Sequence, residues 1–234
     1  MKRVYKILLS VLIISFYMLD SSCQNKKEPG NNGDQMKNTF ANPDSAAATS
    51  VVVLQTLASD EKLKGTINLT PDEAKQLVIG KAIPVQEISY NDLLKDRPDS
   101  AILSPSADSA LQKKWLYPLQ VNNSTKTTAI VTKNDASWKL TSAGNNSYVE
   151  VLSSQRPAGA SVVSVIEVPG LNVLFLRCVA DGRFLYIPSR TIPEVKIEKG
   201  QLIPERELLQ SLLTYARQVE EKNGKDIKNK KIVD

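Results

Sequence analysis

Histidine is absent from the 234 residues, and cysteine occurs only twice, as Cys23 and Cys178. Without imidazole, the chain cannot form a Ser-His-Asp or Cys-His catalytic pair, a histidine-based metal site or a histidine pH switch. Two cysteines are also too few for the disulfide framework of a small secreted scaffold. Hydrophobic residues make up 41% of the chain, which is typical of a packed globular domain rather than a disordered chain.

The N-terminal end has the pattern of an export signal. Lys2, Arg3 and Lys6 precede the almost wholly apolar segment 7–19, whose 13 residues fall short of the roughly 20 that a membrane-spanning helix needs. Small residues then lead to Cys23. Residues 1–22 are therefore predicted to be a signal peptide and to take no part in the fold.

This end of the chain resembles a bacterial lipoprotein signal, and the resemblance covers residues 1–23 only. It implies that Cys23 carries palmitate-type acyl chains and anchors the mature protein without a spanning helix. Gln24 after the cysteine implies the outer membrane, and Lys26 and Lys27 favour its periplasmic face over display on the cell surface. An ordinary cleaved signal is the alternative.

The remaining chain divides into three parts by composition. Residues 23–43 are polar and rich in Asn, Lys, Gly and Pro, which predicts a lipidated, flexible tether. Residues 44–221 have the apolar periodicity of a single domain. Residues 222–234 contain five lysines and are predicted to be a basic disordered tail. Because this positive charge lies on a tail and not on the fold, nucleic acid is not expected as a partner.

The order of helical and strand patterns predicts an α+β domain. Short connections between the later strands require antiparallel pairing. The expected fold consists of antiparallel β-meanders packed with short helices and a C-terminal amphipathic helix over 205–222. Strands are expected at 82–89, 115–121, 125–132, 138–142, 162–168, 173–180 and 183–187.

Capping residues predict where the helices begin. Asp44 or Ser45 is expected to cap a first helix, although a strand at 51–57 is the alternative. Thr70 begins a capping-box sequence, and Gly80 is expected to end the helix that follows it. Ser147 is expected to cap a helix that continues to about residue 155. A shorter helical turn is expected at 90–95.

Few residues are candidates for catalysis. Cys178 falls on the apolar face of its predicted strand, which is typical of an inert core thiol. Ser59 and Lys62 form a Ser-x-x-Lys match of the kind expected by chance in this composition. The neighbouring carboxylates that remain possible for glycoside hydrolysis are Asp72 with Glu73, Glu205 with Glu207, and Glu220 with Glu221.

The tripeptide Asp-Ser-Ala occurs three times and resembles an acceptor motif for O-glycosylation in exported bacterial proteins. The resemblance makes Ser45, Ser100 and Ser109 possible glycan acceptors. Helix capping by Asp and Ser is the alternative explanation of the repeats.

The sequence therefore favours a non-catalytic envelope lipoprotein that binds a protein or cell-wall partner from the periplasmic face of the outer membrane. No cofactor and no metal are expected. Two alternatives remain open. One is a carrier of an apolar ligand, which needs a cavity of about 300 Å³ or more. The other is a histidine-free hydrolase with a carboxylate pair about 5–10 Å apart in a cleft.

Overall fold

The computed structural model describes residues 39–63, 67–94, 103 and 112–230, with side chains as far as 223. The five α-helices in these residues are α1 (Pro43–Ser59), α2 (Pro71–Lys75), α3 (Tyr90–Leu93), α4 (Asn146–Leu152) and α5 (Glu205–Lys230). The nine strands are β1 (Val78–Ile79), β2 (Ile83–Glu87), β3 (Lys114–Val121), β4 (Ser124–Asn134), β5 (Ser137–Ala143), β6 (Ser161–Val168), β7 (Val173–Ala180), β8 (Arg183–Pro188) and β9 (Ile203–Pro204). This composition confirms the predicted α+β class.

The strands form one sheet in the order β5-β4-β3-β2-β6-β7-β8-β9, and β1 pairs with β3. Two antiparallel meanders, β3–β5 and β6–β8, account for most of the pairing, as predicted. Strand β2 joins them, and its pairing with β6 is parallel. This pair is the exception to the expected antiparallel arrangement, because a long stretch of chain separates the two strands.

The tightest hairpins follow their turn residues. Asn122 and Asn123 have φ values of 50° and 62°, and Asp181 and Gly182 have φ values of 50° and 71°. Positive φ at both central residues is the geometry of a two-residue type I′ turn, which matches the twist of the flanking strands. The predicted hairpins β3–β4 and β7–β8 are therefore confirmed.

Helices cover both faces of the sheet. On one face, α1 packs over the β3–β5 half, and α5 packs over the β6–β8 half through Leu208 and Leu212 against Phe175 and Tyr186. Successive side chains of a strand point to opposite faces, so Val165 of β6 lies on the other face of the sheet. There it belongs to a third cluster, which includes residues of α4. Leu116, Leu176 and Ile187 are buried in this third cluster.

Two predicted helix caps are wrong. The cap of α1 is Asn42, whose Oδ1 accepts a hydrogen bond from the Ser45 backbone N–H at 2.8 Å. Pro43 occupies the first helical position, where its missing N–H costs nothing, so the helix begins before Asp44. In the same way Asn145, and not Ser147, caps α4.

Two predicted element ends are also wrong. Helix α2 ends at Lys75, well before Gly80, because the chain continues at once into β1, where Val78 is 64% exposed. Its capping box between Thr70 and Glu73 is confirmed. Helix α5 continues to Lys230, so its backbone is helical through most of the segment predicted to be a disordered tail.

The domain also begins earlier than predicted. Phe40 exchanges two backbone hydrogen bonds with Trp138, at 2.9 and 2.8 Å, ahead of the expected boundary at residue 44. These bonds attach the end of the predicted tether to β5 at the edge of the sheet.

One glycine is required by close packing. A Cβ atom added to Gly170 would lie 2.7 Å from the Cβ of Tyr90, nearer than side chains approach. The Tyr90 hydroxyl donates a hydrogen bond to the Ala216 carbonyl at 2.8 Å. The turn before β7 therefore holds α3 against α5.

Candidate functional site

Most of the residues predicted as modification sites lie outside the described residues. Cys23, Ser100 and Ser109 are outside them. Ser45 is exposed in the first turn of α1. Lipidation at Cys23 and glycosylation at the three serines remain predictions. Ser59 donates its hydroxyl to the Gln55 carbonyl at 2.8 Å, as a helical serine does, and this bond gives no support to a Ser-Lys dyad.

Cys178 is fully buried on β7, as predicted. Its thiol lies 3.5 Å from the Leu185 carbonyl oxygen. Burial raises the pKa of this thiol, because the thiolate would be desolvated. The group is therefore suited to packing and not to nucleophilic attack.

The described residues form a cleft of about 660 Å³ that we call the edge cleft. It opens where β2 changes partners. Ile83 and Pro84 pair with β3, whereas the following residues, from Val85 on, pair with β6. On the side of β6 that faces β2, the first residues of β6 pair with no strand in the described part of the chain. Strand β6 and the β1–β2 segment therefore diverge around an opening.

Backbone contacts hold one side of the edge cleft in place. The Gly80 N–H donates to the Pro118 carbonyl at 2.7 Å. An added Cβ at Gly80 would lie 3.1 Å from that oxygen, so a side chain there would press on β3. Pro84 has no N–H to extend the ladder, which is consistent with a strand that changes partner at this point.

The edge cleft combines apolar walls with positive charge. Its apolar lining consists of Ala82, Ile83, Pro84, Trp115, Pro118, Leu152, Val162 and Val163. Its polar lining consists of Lys81, Gln120, Thr125, Arg156 and Ser161. No acidic residue lines it. Mixed surfaces of this size are typical of small-ligand sites.

A second, more polar cavity of about 390 Å³ lies beside α4, and we call it the carboxylate pocket. Glu87 and Glu167 are direct neighbours in the parallel pair β2–β6. The Lys114 ammonium forms ion pairs with both carboxylates, at 3.6 Å from Glu87 and in closer contact with Glu167. The Tyr148 hydroxyl donates to Glu167 at 3.1 Å.

Tyr148 stays protonated in this network. Burial raises the pKa of the phenol, and the charge of Glu167 and the hydrogen bond to it raise that pKa further. The pocket thus holds two adjacent carboxylates, one ammonium and one phenol. The sequence did not reveal this pair, because Glu87 and Glu167 meet only through the parallel register.

In two of the three carboxylate pairs that the sequence singled out, one carboxylate has another partner. Glu73 accepts the Thr70 N–H at 3.0 Å and pairs with Lys126 at 3.0 Å. Glu205 accepts the Tyr186 hydroxyl at 2.9 Å. Both carboxylates therefore stabilise helix starts.

A fully buried arginine also escaped the sequence analysis. Arg177 is 1% exposed, and its guanidinium stacks on the Phe184 ring at 3.7 Å from the centroid. Its Nη2 lies 3.9 Å from Glu205. Among the described residues, Nε and Nη1 have no hydrogen-bond acceptor. The sequence did contain a signal for this burial, because Arg177 shares one face of its predicted strand with Val and Phe residues.

Two classes of feature do not occur in the described residues. No group of three or more His, Cys, Asp and Glu side chains there is placed to hold a metal ion. None of the helices over the same residues is long and apolar enough to cross a membrane.

Comparisons of the chain with protein families, with curated proteins and with solved structures find no match.

Proposed function

We propose that this chain is a non-catalytic envelope lipoprotein that binds a ligand or partner through the edge cleft. Its lipid would be attached at Cys23, at the periplasmic face of the outer membrane. A flexible tether of about 20 residues has a mean reach of roughly 25 Å, which would hold the domain just off that surface.

The observation that carries this proposal is the lining of the edge cleft. The cleft presents an aromatic ring, aliphatic side chains, the hydroxyls of Thr125 and Ser161 and two exposed cations. Groups of this kind bind and orient a ligand. Catalysis would require a base that activates one of the hydroxyls or Lys81, and no carboxylate lines the cleft.

A pull-down from crosslinked envelopes tests the proposal. Ser161 is exposed at the cleft, so Ser161→Trp would fill the opening without disturbing the core. Thr214→Trp, at an exposed position on α5, is the matched control. We expect wild type and Thr214→Trp to recover a partner that Ser161→Trp loses. Equal recovery by all three proteins would contradict the proposal, and recovery of nothing above background would exclude a macromolecular partner at the edge cleft.

The carboxylate pocket supports a second candidate, a hydrolase that uses Glu87 and Glu167. Retaining glycosidases place two carboxyl groups about 5–5.5 Å apart, and adjacent parallel strands bring side chains to a comparable separation. Both carboxylates, however, are already engaged in ion pairs with Lys114. This network makes hydrolysis the weaker candidate.

Activity on 4-nitrophenyl glycosides tests the second candidate. A hydrolase would release nitrophenol from at least one glycoside, and Glu87→Gln and Glu167→Gln would each reduce the rate by a large factor. No release by the wild type, or release by both variants at the wild-type rate, would eliminate this role for the pair.

A further inference from the structure

The two cations of the edge cleft have no acidic partner in the described part of the chain. Lys81 lies on the link between β1 and β2, and Arg156 follows α4, so they reach the cleft from different elements. Both residues are exposed. Two like charges at one opening repel each other, and that repulsion is relieved when an anion binds between them.

Apolar surface adjoins this positive charge. Trp115 is partly buried, and the core cluster under α1 supports it from behind. Leu152 and Val162 are supported by the cluster under α4. Apolar walls of this kind favour an apolar ligand body, because apolar groups that leave water on binding strengthen the complex.

We infer that the edge cleft binds an amphipathic carboxylate, with Lys81 and Arg156 at the anionic group and Trp115, Leu152 and Val162 at the apolar body. The inference rests on the proposed function and specifies its ligand. A neutral apolar molecule would leave the two cations uncompensated, and a cation would be repelled by them. A volume of about 660 Å³ suits a small molecule or the terminus of a chain.

Fluorescence of Trp115 provides a direct measurement. The chain contains two tryptophans, so Trp138→Phe leaves Trp115 as the sole reporter. The full chain serves as the test protein. Octanoate, 1-octanol and octylammonium offer the same alkyl chain with negative, neutral and positive head groups. Isothermal titration calorimetry of the protein that keeps both tryptophans repeats the affinity measurements.

We expect octanoate to bind most tightly, with an affinity that falls as salt is added, because exposed charges are screened. Lys81→Gln combined with Arg156→Gln is expected to weaken octanoate by about tenfold, the combined effect of two exposed ion pairs. Lys62→Gln with Arg217→Gln removes the same charge from exposed positions outside the cleft and should leave affinity unchanged. Far-ultraviolet circular dichroism verifies that each variant is folded.

A peptide comparison distinguishes two sources of an amphipathic carboxylate, a fatty acid and the C-terminus of a polypeptide chain. Acetyl-Ala-Val-Leu with a free C-terminal carboxylate competes with octanoate, and its C-terminal amide is the control. Tighter binding of octanoate would identify a fatty-acid-like ligand, and tighter binding of the peptide acid would identify a chain terminus. Either result supports the inference.

Three results would overturn the inference. They are equal binding of octanoate and octanol, no binding of octanoate or the peptide acid, and an octanoate affinity that the Lys81 and Arg156 changes leave intact. These outcomes are independent of the envelope pull-down. If the pull-down recovers a partner but neither octanoate nor the peptide acid binds, the proposed function is kept and only the inferred ligand class is rejected.

Discussion

Arg177 carries a positive charge into the interior of the sheet, and its surroundings indicate that packing outweighs charge there. The guanidinium stacks on Phe184, while Glu205 lies 3.9 Å away and keeps its hydrogen bond from Tyr186. Burying an arginine with two unpaired nitrogens is costly. An apolar side chain of similar length would fill the same volume without that cost.

Substitution of Arg177 tests this balance. We expect Arg177→Met to change the free energy of unfolding by no more than about 1 kcal/mol, and Arg177→Ala to lower it by about 2–4 kcal/mol. Urea unfolding followed by circular dichroism measures both values. Equal losses in the two variants would mean that the charge, and not the packing, stabilises the site.

Glu73 makes stability depend on pH. The Thr70 backbone N–H, then Lys126, then the Thr70 hydroxyl lower the pKa of Glu73 from 4.5 to about 2. Because the folded-state pKa lies below the unfolded one, the stabilising contribution is complete above about pH 4.5. It is lost as the pH falls towards 2.

Glu73→Gln is therefore expected to flatten the decline of stability between about pH 5 and pH 2. The urea midpoint measured across that range is the readout, and Glu194→Gln, at an exposed position, is the control. A wild-type slope in Glu73→Gln would show that the capping box is not linked to pH.

Among the elements, α5 packs against the sheet through residues that all precede Lys222. Its buried residues are Leu208, Leu212 and Ala216, and Val219 packs beside them. We expect Leu212→Ala to lower the free energy of unfolding by about 2–5 kcal/mol, because it leaves a cavity against the sheet. A chain that ends at Lys222 should unfold at nearly the wild-type urea concentration. Equal destabilisation by the two changes would show that residues beyond Lys222 also stabilise the fold.

Local signals predicted most elements, and contacts distant in sequence determined the rest. The positive φ angles at Asn122 and Asp181 follow from turn residues that the sequence shows directly. The parallel β2–β6 register depends on packing across a long stretch of chain, so neither the edge cleft nor the Glu87–Glu167 pair could be predicted. The caps were wrong where several capping residues stand together, as at Asn42 and Asp44, since only the position of the helix start selects among them.

At the scale of the whole molecule, the proposed envelope role depends on an anchor at Cys23. Labelling cells with a radioactive fatty acid is expected to mark the wild-type protein and not Cys23→Ala, because the thiol is the proposed attachment point. Cys178→Ala, which changes the other cysteine, should keep the label. Equal labelling of wild type and Cys23→Ala would contradict the anchor.

If this domain binds in the envelope through the edge cleft, a photocrosslinking amino acid at Ser161, beside the cleft, will capture what it binds. The same group at Thr214 on α5 is the reference. After irradiation of intact envelopes, we expect an adduct from position 161 that Lys81→Gln with Arg156→Gln diminishes, and none from position 214. The absence of an adduct at position 161, or the same adduct at both positions, would show that the edge cleft is not the binding surface.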